Sequence, residues 1–161
     1  MQKFLFVDPE KCSGCRTCET VCSLNHEKVY NPARARIHVV KWENAGVYIP
    51  VVCQHCETAV CETVCPMRAI QPDKKTGALH IDYEVCVNCK LCLRTCPFAG
   101  IRISKSGKVI KCDLCGGDPI CVKNCEPGAL QYVDANTINL RKSRAAAEKF
   151  SETMKKLLGV T

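Results

Sequence analysis

Two short apolar runs lie near the two ends of the chain. Residues 3–8 read KFLFVD and residues 129–134 read ALQYVD, and both have the length and the aromatic and branched side chains that are typical of β-strands. We predict that the two runs pair with each other. Their pairing would close an outer repeat of the molecule around the residues between them.

Two segments in between follow a pattern of strand, turn and strand. Residues 69–82 read AIQPDKKTGALHID, with a turn at Gly77, and residues 100–112 read GIRISKSGKVIKC, with a turn at Gly107. The same plan appears twice, which is the signature of an internal repeat. We predict two short β-hairpins of the same design.

A third hairpin is predicted in a segment of different character. Residues 36–52 read RIHVVKWENAGVYIPVV, in which apolar and polar side chains alternate around a turn at residues 44–46. Trp42, the only tryptophan, falls on the first strand. We interpret its side chain as a packing group that shields a neighbouring site from water, rather than as a group that stacks on a ligand.

The C-terminal segment changes to a helical period. Between residues 140 and 158, apolar side chains recur at intervals of three and four positions, with basic residues on the remaining faces. The members of this stripe are Ala147, Phe150, Met154, Leu157 and Leu158. We predict an amphipathic helix that ends near Gly159 and docks either on its own domain or on a partner subunit.

The candidate chemistry lies in sixteen cysteines, which fall into four runs of four with none left over. The runs read CSGCRTCETVC (12–22), CQHCETAVCETVC (53–65), CVNCKLCLRTC (86–96) and CDLCGGDPICVKNC (112–125). The third run is followed by Pro97 and has the spacing of a bacterial ferredoxin loop that binds a [4Fe–4S] cluster. Sixteen thiolates in groups of four supply ligands for four such clusters.

Disulfides and zinc are the alternative roles for so many cysteines. The cysteines of one run are too close together to link distant parts of the chain, and the N-terminus MQKFLFVDPEKC lacks an apolar leader. We therefore expect a reducing cytoplasm, where clustered cysteines bind metal, although export with a signal-bearing partner stays open. Structural zinc favours two CxxC pairs with a long spacer, whereas here the third cysteine follows almost at once in every run.

The formal net charge of +7 does not indicate a nucleic-acid partner once the clusters are counted. An oxidised [4Fe–4S] cluster with four thiolates carries about −2, so four clusters bring the total to about −1. The lysines and arginines then serve as counter-charges. No stretch has the roughly eighteen apolar residues that a membrane span requires, so we expect no direct insertion into a membrane.

A tight cysteine loop cannot place all four of its sulfurs on one cluster. In two-cluster ferredoxins the fourth cysteine of a loop ligates the other cluster. Each pair of clusters therefore needs two cooperating runs. If the terminal strands pair, the natural partition is nested: the second run works with the third, and the first run works with the fourth.

The order and spacing of the four runs resemble a known family. These are the four-cluster ferredoxin-like electron-transfer subunits that accompany DMSO reductase, formate dehydrogenase, hydrogenase, carbon monoxide dehydrogenase and tungsten aldehyde oxidoreductase. The likeness covers about residues 4–130, and its features here are CxGC, CQHCE, CP before Ala69–Ile70, CPF and CDLC. It implies an α+β fold of tandem, nested 2[4Fe–4S] ferredoxin-like repeats with short β-hairpins, an inserted hairpin and a C-terminal helix.

The resemblance implies a division into one four-cluster domain at residues 1–134 and a C-terminal helix at 135–161. Within the domain, three parts are distinguished: an outer repeat at about 1–30 and 108–134, an inserted hairpin at about 31–52, and an inner repeat at about 53–107.

The resemblance also implies how sixteen cysteines are shared among four [4Fe–4S] clusters. Each set takes three cysteines from one run and the fourth from another: set 1 is Cys12, Cys15, Cys18 and Cys125; set 2 is Cys112, Cys115, Cys121 and Cys22; set 3 is Cys53, Cys56, Cys61 and Cys96; set 4 is Cys86, Cys89, Cys92 and Cys65. All sixteen bind iron in this scheme, and none is catalytic.

Two finer features distinguish individual residues near the cysteines. Pro66 and Pro97 follow the last cysteines of the middle runs, whereas the outer runs lack a proline there, which predicts different local hydrogen bonding. His55 lies inside the second run, where we expect a hydrogen bond or a packing role rather than a ligand. The other three histidines form no constellation in the sequence: His26, His38 and His80.

The family resemblance implies an electron-transfer subunit that is not an enzyme by itself. It would relay single electrons between a large catalytic subunit, with a tungsten or molybdenum pterin centre favoured, and a flavin/NAD subunit or a ferredoxin. The small subunit of a tungsten aldehyde oxidoreductase is the favoured match, with hydrogenase, formate dehydrogenase and carbon monoxide dehydrogenase as alternatives. End-to-end association of the chain with itself is also open. The rival hypothesis is a free-standing polyferredoxin shuttle.

Overall fold

The computed structural model describes residues 3–134 and, beyond them, positions 136, 137, 139, 140, 143, 147, 148, 150 and 151. Within residues 3–134 the chain forms short strands and helices connected by loops. In chain order they are β1 (Lys3–Val7), α1 (Thr17–Glu27), β2 (His38–Trp42), β3 (Val47–Val51), α2 (Val60–Thr63), β4 (Ile70–Pro72), β5 (Leu79–Ile81), α3 (Leu91–Thr95), β6 (Ile101–Ile103), β7 (Val109–Lys111), α4 (Ile120–Lys123) and β8 (Leu130–Asp134).

The strands form two-stranded antiparallel sheets, in the pairs β1–β8, β2–β3, β4–β5 and β6–β7. The predicted pairing of the terminal runs is confirmed, with Phe4 opposite Val133. The three predicted hairpins are confirmed as well. In the described residues, glycine-containing turns between strand-like segments located the three hairpins, and the terminal apolar runs located the sheet of β1 and β8.

The buried apolar side chains form two separate cores. The outer core takes Leu5 from β1 and Leu130 from β8, and it continues into Ile37, Val39 and Val52 of the inserted segment. The inner core is formed by side chains of β4 to β7, with Ala59 beside them. Its members on the strands are Ile70, Leu79, Ile81, Ile101 and Val109. Cysteines contribute to both cores, so the candidate metal sites are part of the packing.

Helix α1 is longer than the other helices and is tied to β2 by a buried carboxylate. Glu19 is fully buried, and its Oε1 accepts a hydrogen bond of 2.6 Å from the backbone N–H of Val39. Its Oε2 lies 2.7 Å from the guanidinium of Arg16, and His38 Nδ1 lies 2.9 Å from Oε1. These contacts fix the turn of α1 that carries Cys18.

Trp42 does not have the predicted position. Its side chain is 51% exposed at the end of β2, and it lines none of the cysteine cavities described below. The hairpin instead covers the first run with Tyr48, whose ring packs against Gly14. A Cβ atom at Gly14 would lie 2.7 Å from this ring, and the backbone φ there is +70°, so both contact and conformation favour glycine.

The predicted C-terminal helix falls mostly outside the described residues, including Met154, Leu157 and Leu158. At the described positions of this segment the backbone is helical, and Leu140 and Phe150 are exposed. In the part of the chain described here, none of the helices combines the length and the apolar character that crossing a bilayer requires.

Candidate metal centres

Three cavities in the described residues are each walled by four cysteines. Cys12, Cys15, Cys18 and Cys125 line the first, together with Val39 and Leu130. Cys53, Cys56, Cys61 and Cys96 line the second, together with Leu79 and Ile101. Cys65, Cys86, Cys89 and Cys92 line the third, together with Ile70 and Val109. The structure thus brings together the members of set 1, set 3 and set 4, each with its fourth cysteine from another run.

Three cysteines of set 2, Cys22, Cys112 and Cys121, lie in the outer core, and the sulfur of Cys115 lies close to Asn25 and His26 of α1. Burial raises the pKa of the Cys121 thiol, and the neighbouring thiols of Cys112, Cys22 and Cys115 raise that pKa further. Burial likewise raises the pKa of Cys22, with Cys115 again adding to the rise. Cys22 on α1 therefore lies with the three cysteines of the fourth run that set 2 contains.

The fourth cysteine of every run accepts a backbone hydrogen bond at its sulfur. In the middle runs the donors are four residues downstream: Ala69 N–H bonds to Cys65 and Gly100 N–H to Cys96, both at 3.3 Å. In the outer runs the donors are farther along the chain. They are Arg36 for Cys22 and Leu130 for Cys125, both also at 3.3 Å.

This difference agrees with the prediction from the two prolines. After Cys65 and Cys96 the chain turns at once, which brings a nearby N–H back to the sulfur. After Cys22, in contrast, α1 continues to Glu27, so the donor comes from the segment that leads into β2. The inserted segment therefore contributes directly to the surroundings of set 2.

Neighbouring sets interact through their sulfurs. Cys18 of set 1 contributes to the raised pKa of Cys121 in set 2. Cys53 of set 3 contributes to the raised pKa of Cys112 in set 2. Cys61 of set 3 contributes in the same way to the raised pKa of Cys92 in set 4. Cys18, Cys53, Cys112 and Cys121 also lie in the outer core, and Cys61 packs with Cys92 in the inner core, so the sets adjoin in the order 1, 2, 3, 4.

The four groups fit iron–sulfur clusters by the chemistry of their donors. Each offers four thiols and a backbone N–H aimed at one sulfur, and apolar side chains line the cavities of sets 1, 3 and 4. Cluster potentials depend on such hydrogen bonds and on solvent exposure. Burial raises the pKa of Cys18 and of Cys112 to about 12. Without metal these thiols therefore keep their protons at neutral pH, and iron binding must release them.

His55, inside the second run, is a buried polar side chain near the cysteines of set 3. His55 is 8% exposed, and its Nδ1 accepts a hydrogen bond of 3.0 Å from Leu79 N–H, so the expected structural role is confirmed. Burial, and then the charge of Lys111, lower the pKa of His55 to about 3. At Gly100 a Cβ atom would lie 2.6 Å from the Cα atom of Cys53, so the backbone there admits no side chain.

We expected His26 to lie away from any group of candidate ligands, but it lies beside Cys115 and Asp113. Its Nε2 lies 3.6 Å from the sulfur of Cys115 and 3.5 Å from a carboxylate oxygen of Asp113, which also pairs with Arg36. Asn25 Nδ2 reaches the same sulfur at 3.7 Å. The sequence shows an acidic residue, Asp113, inside the fourth run. It does not show that Asn25 and His26 of α1 contact Cys115 of that run, because they are about ninety positions away.

Comparison with known proteins places the chain among iron–sulfur proteins. The 4Fe-4S dicluster domain matches residues 44–135, and the 4Fe-4S binding domain matches residues 5–23. A polyferredoxin-like subunit of an aliphatic sulfonate oxidoreductase from Pyrococcus furiosus is 42% identical, covering 83% of the chain and 79% of that protein. The electron transport protein HydN of Escherichia coli is 35% identical, covering 95% of the chain and 98% of that protein.

Among solved structures, the active site complex BamBC of benzoyl coenzyme A reductase, as isolated, contains a similar chain. It is 30% identical, the match covers 95% of the present chain and 96% of that chain, and the TM-score is 0.49.

Proposed function

Since the chain belongs to the family of 4Fe-4S dicluster domain proteins, we propose that it is the electron-transfer subunit of a multi-subunit oxidoreductase, with four [4Fe–4S] clusters. When bound, such clusters supply one-electron redox chemistry. The chain itself transforms no organic substrate in this proposal. The substrate chemistry belongs to a catalytic partner that carries its own cofactor.

The observation that carries the proposal is the continuous order of the four cysteine sets. Cysteines of sets 1, 2 and 3 pack together in the outer core, and cysteines of sets 3 and 4 pack together in the inner core. Electron transfer slows steeply with distance, so a relay needs neighbouring centres held at fixed spacing. The packed cores of this chain supply that spacing.

The protein residues control access of water to the sites. Apolar side chains such as Val39, Leu79 and Val109 wall the cysteine cavities, and low exposure to solvent is one of the terms that set a cluster's potential. Backbone N–H groups at the fourth cysteine of each run favour negative charge on that sulfur. Cys15 and Cys89 are exposed residues, so sets 1 and 4 are the sites at which the relay would open to solvent.

The crossed sharing of ligands is part of the proposal. Each of sets 1 to 4 holds one cluster, with three cysteines from one run and one from its nesting partner. The shared walls of three cavities and the mutual influence of the set 2 thiols support this assignment. The separate outer and inner cores support the division into an outer repeat, an inserted hairpin and an inner repeat at the boundaries given above.

We propose a tungsten or molybdenum enzyme as the catalytic partner, with a flavin/NAD subunit or a ferredoxin at the other end of the relay. The similarity to a subunit of an aliphatic sulfonate oxidoreductase supports a large oxidoreductase partner. The metal of that partner, the cytoplasmic location and end-to-end association of the chain with itself stay predictions from the sequence.

Anaerobic isolation from the native host tests the function. The full chain, carrying an affinity tag, should co-elute with a larger subunit, and metal analysis should find tungsten or molybdenum in that subunit. After reduction with dithionite, the chain should be reoxidised by an oxidised ferredoxin, seen as recovery of the broad visible absorbance of its clusters. A stable monomer that keeps its clusters would instead support the polyferredoxin shuttle, and a chain without iron would contradict both.

A further inference from the structure

Lys111, the last residue of β7, is a buried cation. Its side chain belongs to a residue that is 3% exposed, and in the part of the chain described here it is the one lysine or arginine in the buried class. Lysine is rarely buried to this extent unless an anion compensates its charge. The position of Lys111 therefore requires an explanation beyond packing.

The neighbours of Lys111 are carbonyl groups rather than carboxylates. Its Nζ donates hydrogen bonds to the carbonyl oxygen of Leu79 and, at 3.3 Å, to that of Cys112. Among the described residues, no carboxylate forms an ion pair with it. Asp113, the nearest acidic residue in the sequence, is paired with Arg36. The hydrogen bonds satisfy the ammonium group but leave its charge uncompensated by protein.

Lys111 lies between sets 2 and 3. It immediately precedes Cys112 of set 2 in the chain, and its carbonyl partner Leu79 lines the cavity of set 3. Its ammonium group is hydrogen-bonded to the carbonyl groups of Leu79 and Cys112, so it lies beside both middle sites.

A positive charge near a cluster favours its reduced form. A fully thiolate-ligated [4Fe–4S] cluster is anionic, and reduction adds one negative charge, so a nearby cation stabilises the reduced state more than the oxidised state. In a buried environment this effect is screened less than at the surface. The anionic clusters would also supply the counter-charge that the protein side chains do not.

We propose that Lys111 is a fixed positive charge that raises the reduction potentials of the clusters at sets 2 and 3 above those at sets 1 and 4. This inference rests on the proposed function. The step it concerns is a one-electron reduction in which no bond forms or breaks and no proton moves, the electron coming from a chemical reductant or from the catalytic partner. The middle of the relay would then hold the electron, and the two ends would exchange it with partners.

The test compares two neutral substitutions that differ in hydrogen bonding. Lys111→Gln removes the charge and keeps a donor for the Leu79 carbonyl, whereas Lys111→Met removes both. Lys105→Gln is the matched control, because Lys105 is exposed in the turn of the same hairpin and its substitution removes the same charge from a solvated position. Each full-length protein is prepared anaerobically, checked for iron and sulfide, and titrated with dithionite while reduced clusters are followed by electron paramagnetic resonance.

Both Lys111 variants should lower the potentials of two clusters. The expected loss is at least tenfold in the equilibrium constant for one-electron reduction, which corresponds to about 59 mV. The other two potentials, and all four in Lys105→Gln, should stay nearly unchanged. If Lys111→Gln keeps the original potentials while Lys111→Met lowers them, the hydrogen bond to the Leu79 carbonyl sets the potentials and the charge does not. That result would overturn the proposal. Unchanged potentials in both variants, or equal shifts in the control, would also overturn the proposal.

A second measurement covers the case in which the Lys111 variants lose iron. Cys15 of set 1 and Cys89 of set 4 are exposed, so serine at either position should disturb only its own site. Each of these variants should lose a signal of low potential. Loss of a high-potential signal in either one would refute the inference, whereas a wild-type chain without clusters would refute the proposed function itself.

Discussion

Glu19 shows how one buried side chain holds a metal-binding helix in place. Its carboxylate is fully buried next to Cys18 in the sequence, and it accepts hydrogen bonds from Arg16 and from the backbone of Val39. Arg16 is partly exposed and can be hydrated without this partner, but the Val39 N–H is buried and cannot. The stability supplied by Glu19 therefore lies mainly in its contact with β2.

We predict that Glu19→Ala lowers the free energy of unfolding by about 3 kcal/mol, because it leaves the buried Val39 N–H unpaired and opens a cavity beside α1. For a chain of this size this corresponds to a fall in Tm of roughly 6–12 °C. The measurement is anaerobic thermal unfolding at a fixed scan rate.

The control for Glu19 is Glu84→Ala, which removes an exposed carboxylate and should change Tm little. Glu19→Gln keeps an acceptor for Val39 and should fall between the two. Equal Tm values for the Glu19→Ala and Glu84→Ala proteins would contradict the role assigned to Glu19.

At this scale the sequence identified the cysteines but not the buried charges that surround them. Cysteine spacing is a local property, so it can be read directly. The burial of Glu19 depends on β2, and that of Lys111 on β5, both distant in the sequence. One signal was available: Lys111 stands in VIKC, between two apolar residues and a cysteine.

At the scale of elements, the hairpins were predictable because each combines strand-forming residues with a glycine turn. Gly77 and Gly107 have backbone φ values of +68° and +79°, which only glycine adopts easily. The role of the inserted hairpin was less predictable. The prediction assigned shielding to Trp42, but Val39 and Pro50 line the set 1 cavity and Tyr48 covers the first run. Strand alternation alone does not reveal which face is covered by a distant loop.

The crossed sharing of ligands gives a sharp prediction for pairs of substitutions. Cys22→Ser combined with Cys121→Ser removes two ligands of set 2, so the chain should lose one cluster and keep about twelve iron atoms. Cys22→Ser combined with Cys18→Ser removes one ligand each from set 2 and set 1, so it should lose two clusters and keep about eight. The measurement is iron content after anaerobic preparation.

Both double variants change two cysteines, and the second changes two within one run. If each run held its own cluster, the iron contents would be reversed, with about twelve atoms for the Cys18 and Cys22 pair. That result would contradict the sharing of ligands while leaving the number of clusters intact.

At the scale of the whole molecule, two nested repeats produce a sequence of four sites. In the proposed scheme the second and third runs share ligands with each other, and so do the first and fourth runs, because β1 pairs with β8 and encloses the inner repeat. Cys53 and Cys112 lie in the same buried core, which joins the inner sites to the outer sites. The nesting was predictable from the terminal apolar runs, whereas the order of the sites was not, since it depends on how the two cores pack.

The most direct test of the central claim is the iron and acid-labile sulfide content of the anaerobically prepared chain. Four fully ligated [4Fe–4S] clusters predict about sixteen iron and about sixteen sulfide per chain, with magnetic interaction between neighbouring reduced clusters. Stoichiometric zinc, or no more than about eight iron after reconstitution with iron and sulfide, would contradict it.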